Sequence, residues 1–372
     1  MRIVAAGILA LFLTLSGMSR LVNAQTAKAG WQADWEKIVE LAKKEGKVVV
    51  SIPASAELRT AIEKSFEKRY GIDVEPIVGR ASAIVRKMVD ESKAGVRYVD
   101  LHMGGSESIV TSMLPEGVLE PLEPLMMLPE VKDPKQWYAG HVWIDNAKRF
   151  VYSSQAFQTE NIWINSQLMK ADEVRSFDDL LDERLKRRIG LLDPRTGGSG
   201  ASTWSYLREI KGEDYLRKLV GQKLALSRDQ RVLAEILAKG KLALVVGLTY
   251  YSYAPFVNAG LPVAPLPAPK EGMYVAGGSG HVVVLKNAPH LNAAKIFLNW
   301  FLSREGQEVY SRAMHQGTRR LDVDVKWLRP MGVTAAKDTL TVEQYYKLEN
   351  QSEDKINRLR EPAIALARKL LG

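Results

Sequence analysis

Cysteine is absent from all 372 residues. No disulfide can form, so the folded state must rest on its core, and thiol chemistry and cysteine-bound zinc are excluded. Histidine is scarce, five in all, which leaves little for a histidine-rich metal centre. Past residue 24 no apolar run is long enough to cross a bilayer. A nucleophile elbow, an HExxH helix and a phosphate-binding P-loop are all missing. An enzyme would have to assemble its site from scattered Ser, His and carboxylate residues, and His102, just after a strand, reads as a packed or rim residue. No basic stripe carries interleaved aromatics, which argues against a nucleic-acid partner. Internal repeats and low-complexity tracts are also absent.

What is present begins with Met1-Arg2, an apolar run from Ile3 to Leu15, and an ending Val22-Asn23-Ala24. A charged start, an apolar stretch and a small-residue site predict a signal peptide over 1–24, cleaved after Ala24, and a periplasmic product. Without a cysteine behind that run, lipid attachment is excluded. The chain carries 52 basic and 43 acidic residues, a net +9. Loss of Arg2 and Arg20 with the signal would leave about +7, a mild field that favours anions. The length allows two domains.

The remainder alternates helix and strand periods. Trp35, Ile38, Val39 and Ala42 form a helical face that Gly46 ends. Lys47–Ile52, with Val48-Val49-Val50, reads as a buried strand. Leu58, Ile62 and Phe66 mark a helix, Ile72–Val78 a strand, Ile84, Val85, Met88 and Val89 a helix, and Tyr98–Met103 a strand. That order predicts an α/β fold with a doubly wound sheet. The pattern resumes with strands at Phe150–Ser153, Ile162–Asn165, Ile189–Leu192 and Lys241–Gly247, and with helices over Thr203–Ile210, Arg231–Ala238 and from Tyr250. The prolines between Pro262 and Pro269 predict an extended crossing. A strand His281–Leu285 and a helical face Ala294, Phe297, Leu298 and Phe301 follow, with Ser303 as an N-cap. The end, Thr341–Leu371, reads as helical and broken in two at Pro362.

Three glycine/serine loops stand out: Gly104-Gly105-Ser106, Gly197-Gly198-Ser199-Gly200-Ala201 and Gly277-Gly278-Ser279-Gly280. The first two lead into helices, where free N–H groups and a positive helix end can hold an anion. The second follows a buried strand and Asp193-Pro194-Arg195, and it is the most informative stretch of the chain.

Several stretches resemble the bacterial extracellular solute-binding proteins of ferric-ion-binding type, which serve ABC importers. They are Arg69-Tyr70-Gly71-Ile72-Asp73-Val74, Val99–Ser106, Gly117-Val118-Leu119-Glu120-Pro121-Leu122, residues 178–201, and Val284–Gln307. Together they span roughly 31–325. The resemblance implies a type 2 periplasmic binding fold: two doubly wound lobes joined by crossing hinge strands, closing on a ligand. Lobe 1 would comprise 31–152 and 270–325, lobe 2 would comprise 153–269, and helices over 326–372 would pack on lobe 2. A monomer that meets an inner-membrane permease is implied.

The resemblance also places ligand contacts. Ser199, Gly200 and Ala201 match the anion-contacting loop, and Gln230 falls where relatives carry an asparagine. Tyr250 and Tyr251 match a tyrosine pair that ligates iron, and phenolate suits Fe(III). Ser55 and Gly105 stand where some relatives have a histidine and a carboxylate, so further ligands would have to come from an anion, water, Tyr206 or Tyr274. Ser106 and Ser279 are candidate contacts from the other loops. The expected role is therefore import of ferric iron with a synergistic anion, with no resident cofactor. The alternatives are an organic anion, phosphorylated, phosphonate or carboxylate, or a sensory subunit. For an organic anion, Arg195 or Arg80 would supply a bidentate fork and the tyrosines, with Tyr253 nearby, would flank the ligand.

Overall fold

Helix α1 covers residues 30–45, and Gly46 ends it at φ 79°, a left-handed turn that costs glycine little. The structure, a computed structural model, describes residues 30–79, 81–159 and 162–372. The signal peptide predicted over 1–24, Arg80 and the side chain of Tyr251 lie outside what is described. From Gly46 the chain enters β1 (Lys47–Ile52), which pairs in parallel with β2 (Asp73–Val78) and β3 (Leu101–Gly104). The connecting helices are α2 (Ala56–Ile62) and α3 (Ala81–Lys93). β4 (Leu119–Glu120), β5 (Tyr152–Ser153) and β12 (His281–Leu285) complete a first sheet of order β2-β1-β3-β12-β4, with β5 also on β12. Strand period decides its layers. Val48, Val50 and Ile52 face a core with Phe66, Phe297 and Trp300, while Val49 between them faces Val85, Met88 and Ile109.

The second sheet has the order β11-β7-β10-β8-β9, from β7 (Ile162–Asn165), β8 (Ile189–Leu192), β9 (Ala225–Ser227), β10 (Leu244–Val246) and β11 (Val263–Pro265). β8 runs parallel to β10 and β9, and β7 runs antiparallel to β10. Ile162 and Ile164 enter one core and Trp163 the other. The fold is mixed α/β with two lobes, as expected.

The lobes are joined where short segments cross. Ser154 N–H donates to Gly280 O at 3.0 Å, Phe157 and Ala276 exchange N–H···O bonds of 3.0 and 2.8 Å, and Ala156 N–H reaches Gly317 O at 2.9 Å. A two-stranded ribbon, β6 (Phe157–Thr159) with β13 (Val333–Ala335), extends this seam. The proline stretch does not make the crossing. Its Val263–Pro265 forms β11 on the rim of the second sheet, where proline's missing N–H is tolerated.

The C-terminal region also differs from expectation. It breaks at 349–352, between the helices Val342–Leu348 and Glu353–Lys355, and not at Pro362. Pro362 stands in the first turn of the last helix, Glu361–Leu371, directly after a π turn, Ile356–Arg360. There Glu361 N–H bonds Ile356 O, one residue further back than in an α-helix, and this wider turn carries the chain into the proline. Ala363, Leu366 and Ala367 pack in the second lobe's core, while Ile356 packs in the first lobe's.

Candidate functional site

Parallel pairing puts the loops leaving β8 and β10 side by side. The first opens α5 (Ser199–Gly221) and the second opens α7 (Tyr250–Asn258), with α6 (Gln230–Ala238) beside them. A Cβ built on Gly247, just past β10, would lie 3.5 Å from Gly200 Cα, so the two loops touch. Gly200 is pressed against the Leu192 carbonyl with no room for a side chain, which brings the start of α5 down onto β8. Two helix ends, each with free N–H groups, therefore point from one edge of the second lobe.

At these ends Ser199 Oγ and the Thr249 Oγ1 are buried and lack a partner among the described residues. Ala201 is buried behind Ser199. Gln230 Oε1 accepts from Ser252 Oγ at 2.7 Å, which ties α6 to α7. Tyr250 lies at the start of α7 between Trp163 (ring centroids 6.0 Å apart) and His315 (5.0 Å), and burial pushes its phenol up. Tyr251 follows it on the helix. Tyr253 turns inward, stacked on Trp163 at 4.1 Å. Tyr206 donates to Glu271 O at 3.1 Å, and Tyr274 lies 3.3 Å from Thr203 Oγ1, so both are engaged in the second lobe.

From the first lobe come the loops after β1 and β3, adjacent because those strands are parallel. Ser55 caps α2, accepting from Leu58 N–H at 3.0 Å while donating to Glu57 at 3.1 Å. Gly105 lies against Gly278, and Ser279 N–H donates to Gln316 Oε1 at 3.2 Å. Ser106 is buried and donates to Gln351 Oε1 at 2.8 Å, so its hydroxyl is committed inside the chain. Arg195 is placed differently from a ligand fork. Its guanidinium grips Asp193 twice at 2.9 Å and also reaches the C-terminal Gly372 carbonyl. Burial alone would raise the Asp193 carboxyl, but the bonds from Arg195 and Arg228 outweigh it and hold it at about 2.

Sequence reasoning missed four residues here. Glu107, on the short helix α4 (Ser106–Ser108), is buried, and its Oε2 accepts from Gly198 N–H at 3.3 Å and from Arg360 at 3.3 Å. Burial pushes its carboxyl up against the pull of Arg360 and that N–H. Glu107 directly follows the Gly104-Gly105-Ser106 loop, a signal that was available. Arg360 had none, because the tail matched no motif. His315 sits at φ 51° between Tyr250 and Trp327, with its Nδ1 buried and without a partner among the described residues. Gln316 is buried beside Gly278. Among the described residues no three His, Asp or Glu side chains gather as a metal cluster. The arrangement offers backbone and hydroxyl donors, one phenol and one imidazole, with glycines where the loops meet.

The model of the family described as bacterial extracellular solute-binding protein matches residues 50–308. An uncharacterised protein of Haemophilus influenzae is 24% identical over 279 residues, 72% of this chain and 76% of that one. Among solved structures, the periplasmic binding protein P5PA is 22% identical with a TM-score of 0.65, over 87% of this chain and 99% of that one. AfuA from Actinobacillus pleuropneumoniae, solved with fructose-6-phosphate, is 20% identical with a TM-score of 0.65 and the same coverage. Iron-bound HitA from Pseudomonas aeruginosa is 16% identical with a TM-score of 0.66, again over 87% and 99%. These likenesses support the type 2 periplasmic binding fold, and with the family match over residues 50–308 they place this chain in the bacterial extracellular solute-binding protein family.

Proposed function

We propose that the chain is the periplasmic binding component of an ABC importer and that its interlobe cleft takes a small organic anion. It binds without turnover and delivers its ligand to a membrane permease. The observation that carries the reading is the pair of adjacent helix starts at Ser199 and Tyr250, each with a buried hydroxyl, Ser199 Oγ and Thr249 Oγ1, that has no partner among the described residues. Unpaired buried hydroxyls are costly, and an anion's oxygens would satisfy them alongside the helix N–H groups. That AfuA was solved with a sugar phosphate supports this ligand class.

Ferric iron with a synergistic anion is the second reading. Tyr250 beside the buried imidazole of His315 favours it, since phenolate and imidazole both bind iron. Melting curves with fructose 6-phosphate, citrate, ferric citrate and ferric ion plus phosphate separate the two. An organic anion at 100-fold over Kd should add about 2.7 kcal/mol of stability, and Tyr250→Phe should keep that shift. A coloured ferric complex, bleached in Tyr250→Phe, would instead establish iron. No shift with any probe would overturn both.

A further inference from the structure

Gly198 is the N-cap of α5 at φ 131°, and glycine has no side chain with which to cap its own helix. Nor can Ala201, at N3, accept from the Gly198 N–H as a capping-box Glu would, and that acceptor comes from the other lobe. Glu107 Oε2 sits 3.3 Å from Gly198 N, on the positive end of the helix. Gly197 leaves the space for it, because a Cβ there would land on Glu107 Oε1. The buried charge is matched by Arg360, 3.3 Å away and itself buried, whose other amino group bonds Asn350 O. Ser106 and Gln351 add a second bond beside the first. Residues 107, 198 and 360 thus meet in one knot that spans both lobes, with Glu107 and Arg360 buried and Gly198 at its exposed edge.

We infer that Glu107 is the specificity-determining residue of the cleft's anion subsite, a built-in carboxylate that holds the lobes together without ligand and competes with an anionic solute for the start of α5. The competition follows from Coulomb's law. A ligand oxyanion on the first-turn N–H groups of α5 would lie within a few ångströms of the Glu107 carboxylate, and two like charges that close repel. A solute must therefore displace Glu107, and weakly charged or weakly bound anions fail to do so. The competition rests on the organic-anion reading above, while the interlobe latch does not.

Two variants test this. Glu107→Gln keeps the shape and removes the charge. Gly197→Ala keeps every charge and fills the space Glu107 needs, at a backbone position outside the left-handed region. The distance between spin labels placed one on each lobe, measured without ligand, should be short in the wild type and longer in both variants. Fructose 6-phosphate should bind both variants about tenfold more tightly by calorimetry. Unchanged lobe distances in both would overturn the latch, whatever the ligand is. Unchanged or weaker binding in both, with the wild type binding the probe, would overturn the competition. If the wild type binds no organic anion, the functional reading fails and the lobe distances still decide the latch.

Discussion

His102 and His281 sit on neighbouring strands of the first sheet, fully buried, with Nδ1 at 2.9 Å from Ser51 Oγ and 3.1 Å from Gly104 O respectively. Burial pushes both imidazoles down to about 4, and for His102 the neighbouring His281 adds to it. The native state therefore holds them neutral, whereas the unfolded chain takes up protons near the ordinary value of about 6.5. Their contribution is complete above that ordinary value and is lost as pH falls from 6.5 through about 4. One histidine held this low is worth roughly 3 kcal/mol at the end of that window. Urea midpoints should fall between pH 7 and pH 5, and His281→Gln should flatten the fall. A midpoint that stays constant over that range would refute the assignment. The same burial explains why His102 is a packed residue and not a base.

At the scale of elements, α5 carries a conformational break that hydrogen-bond continuity hides. Gly212 has φ 79° and ψ 176°, a region open essentially to glycine, so α5 is two helices in series. Alanine normally favours a helix over glycine by up to about 1 kcal/mol. Here Gly212→Ala should instead destabilise by about 1–3 kcal/mol, a reversal of sign that denaturant unfolding resolves. A stabilised variant would mean that the helix runs straight. Much of the architecture was legible from such local signals. The runs Lys47–Ile52, Ile162–Asn165, Ile189–Leu192 and His281–Leu285 were read to the residue, because β-branched or apolar stretches bounded by Gly and polar residues have few other solutions. Ser303 caps its helix as read, accepting from Gly306 N–H. The site was less legible. The glycine loops announced the helix starts, but Arg195 and Ser106 find partners far along the chain, Gly372 and Gln351, which no local pattern encodes. Pro362 misled because a π turn, a tertiary accommodation, absorbs it.

The whole molecule depends on the seam between its lobes, and there Arg319 acts as a tie. It is buried, and among the described residues it has no carboxylate partner. Its guanidinium donates instead to three backbone carbonyls, Ser153 O at 2.7 Å, Gly140 O at 2.5 Å and Tyr138 O. Its own backbone bonds Ser154 O and Tyr138 N–H, each at 2.9 Å. Ser153 ends β5 and Ser154 begins the crossing, so a single side chain fixes the exit of the chain from the first sheet. If the lobes close on a ligand as proposed, a fixed exit matters, because apparent affinity scales with the fraction of molecules whose lobes are correctly disposed. Arg319→Met should strand three carbonyls, two of them buried, at about 1–3 kcal/mol for each buried one left unsatisfied, and lower the melting temperature accordingly. Arg319→Lys should recover part of the loss, since an ammonium donates but cannot span the fork. Labels on the two lobes should report a broader distance distribution in Arg319→Met at temperatures where both lobes stay folded. A methionine variant that melts with the wild type and keeps its narrow distribution would show that the crossing backbone bonds alone set the hinge.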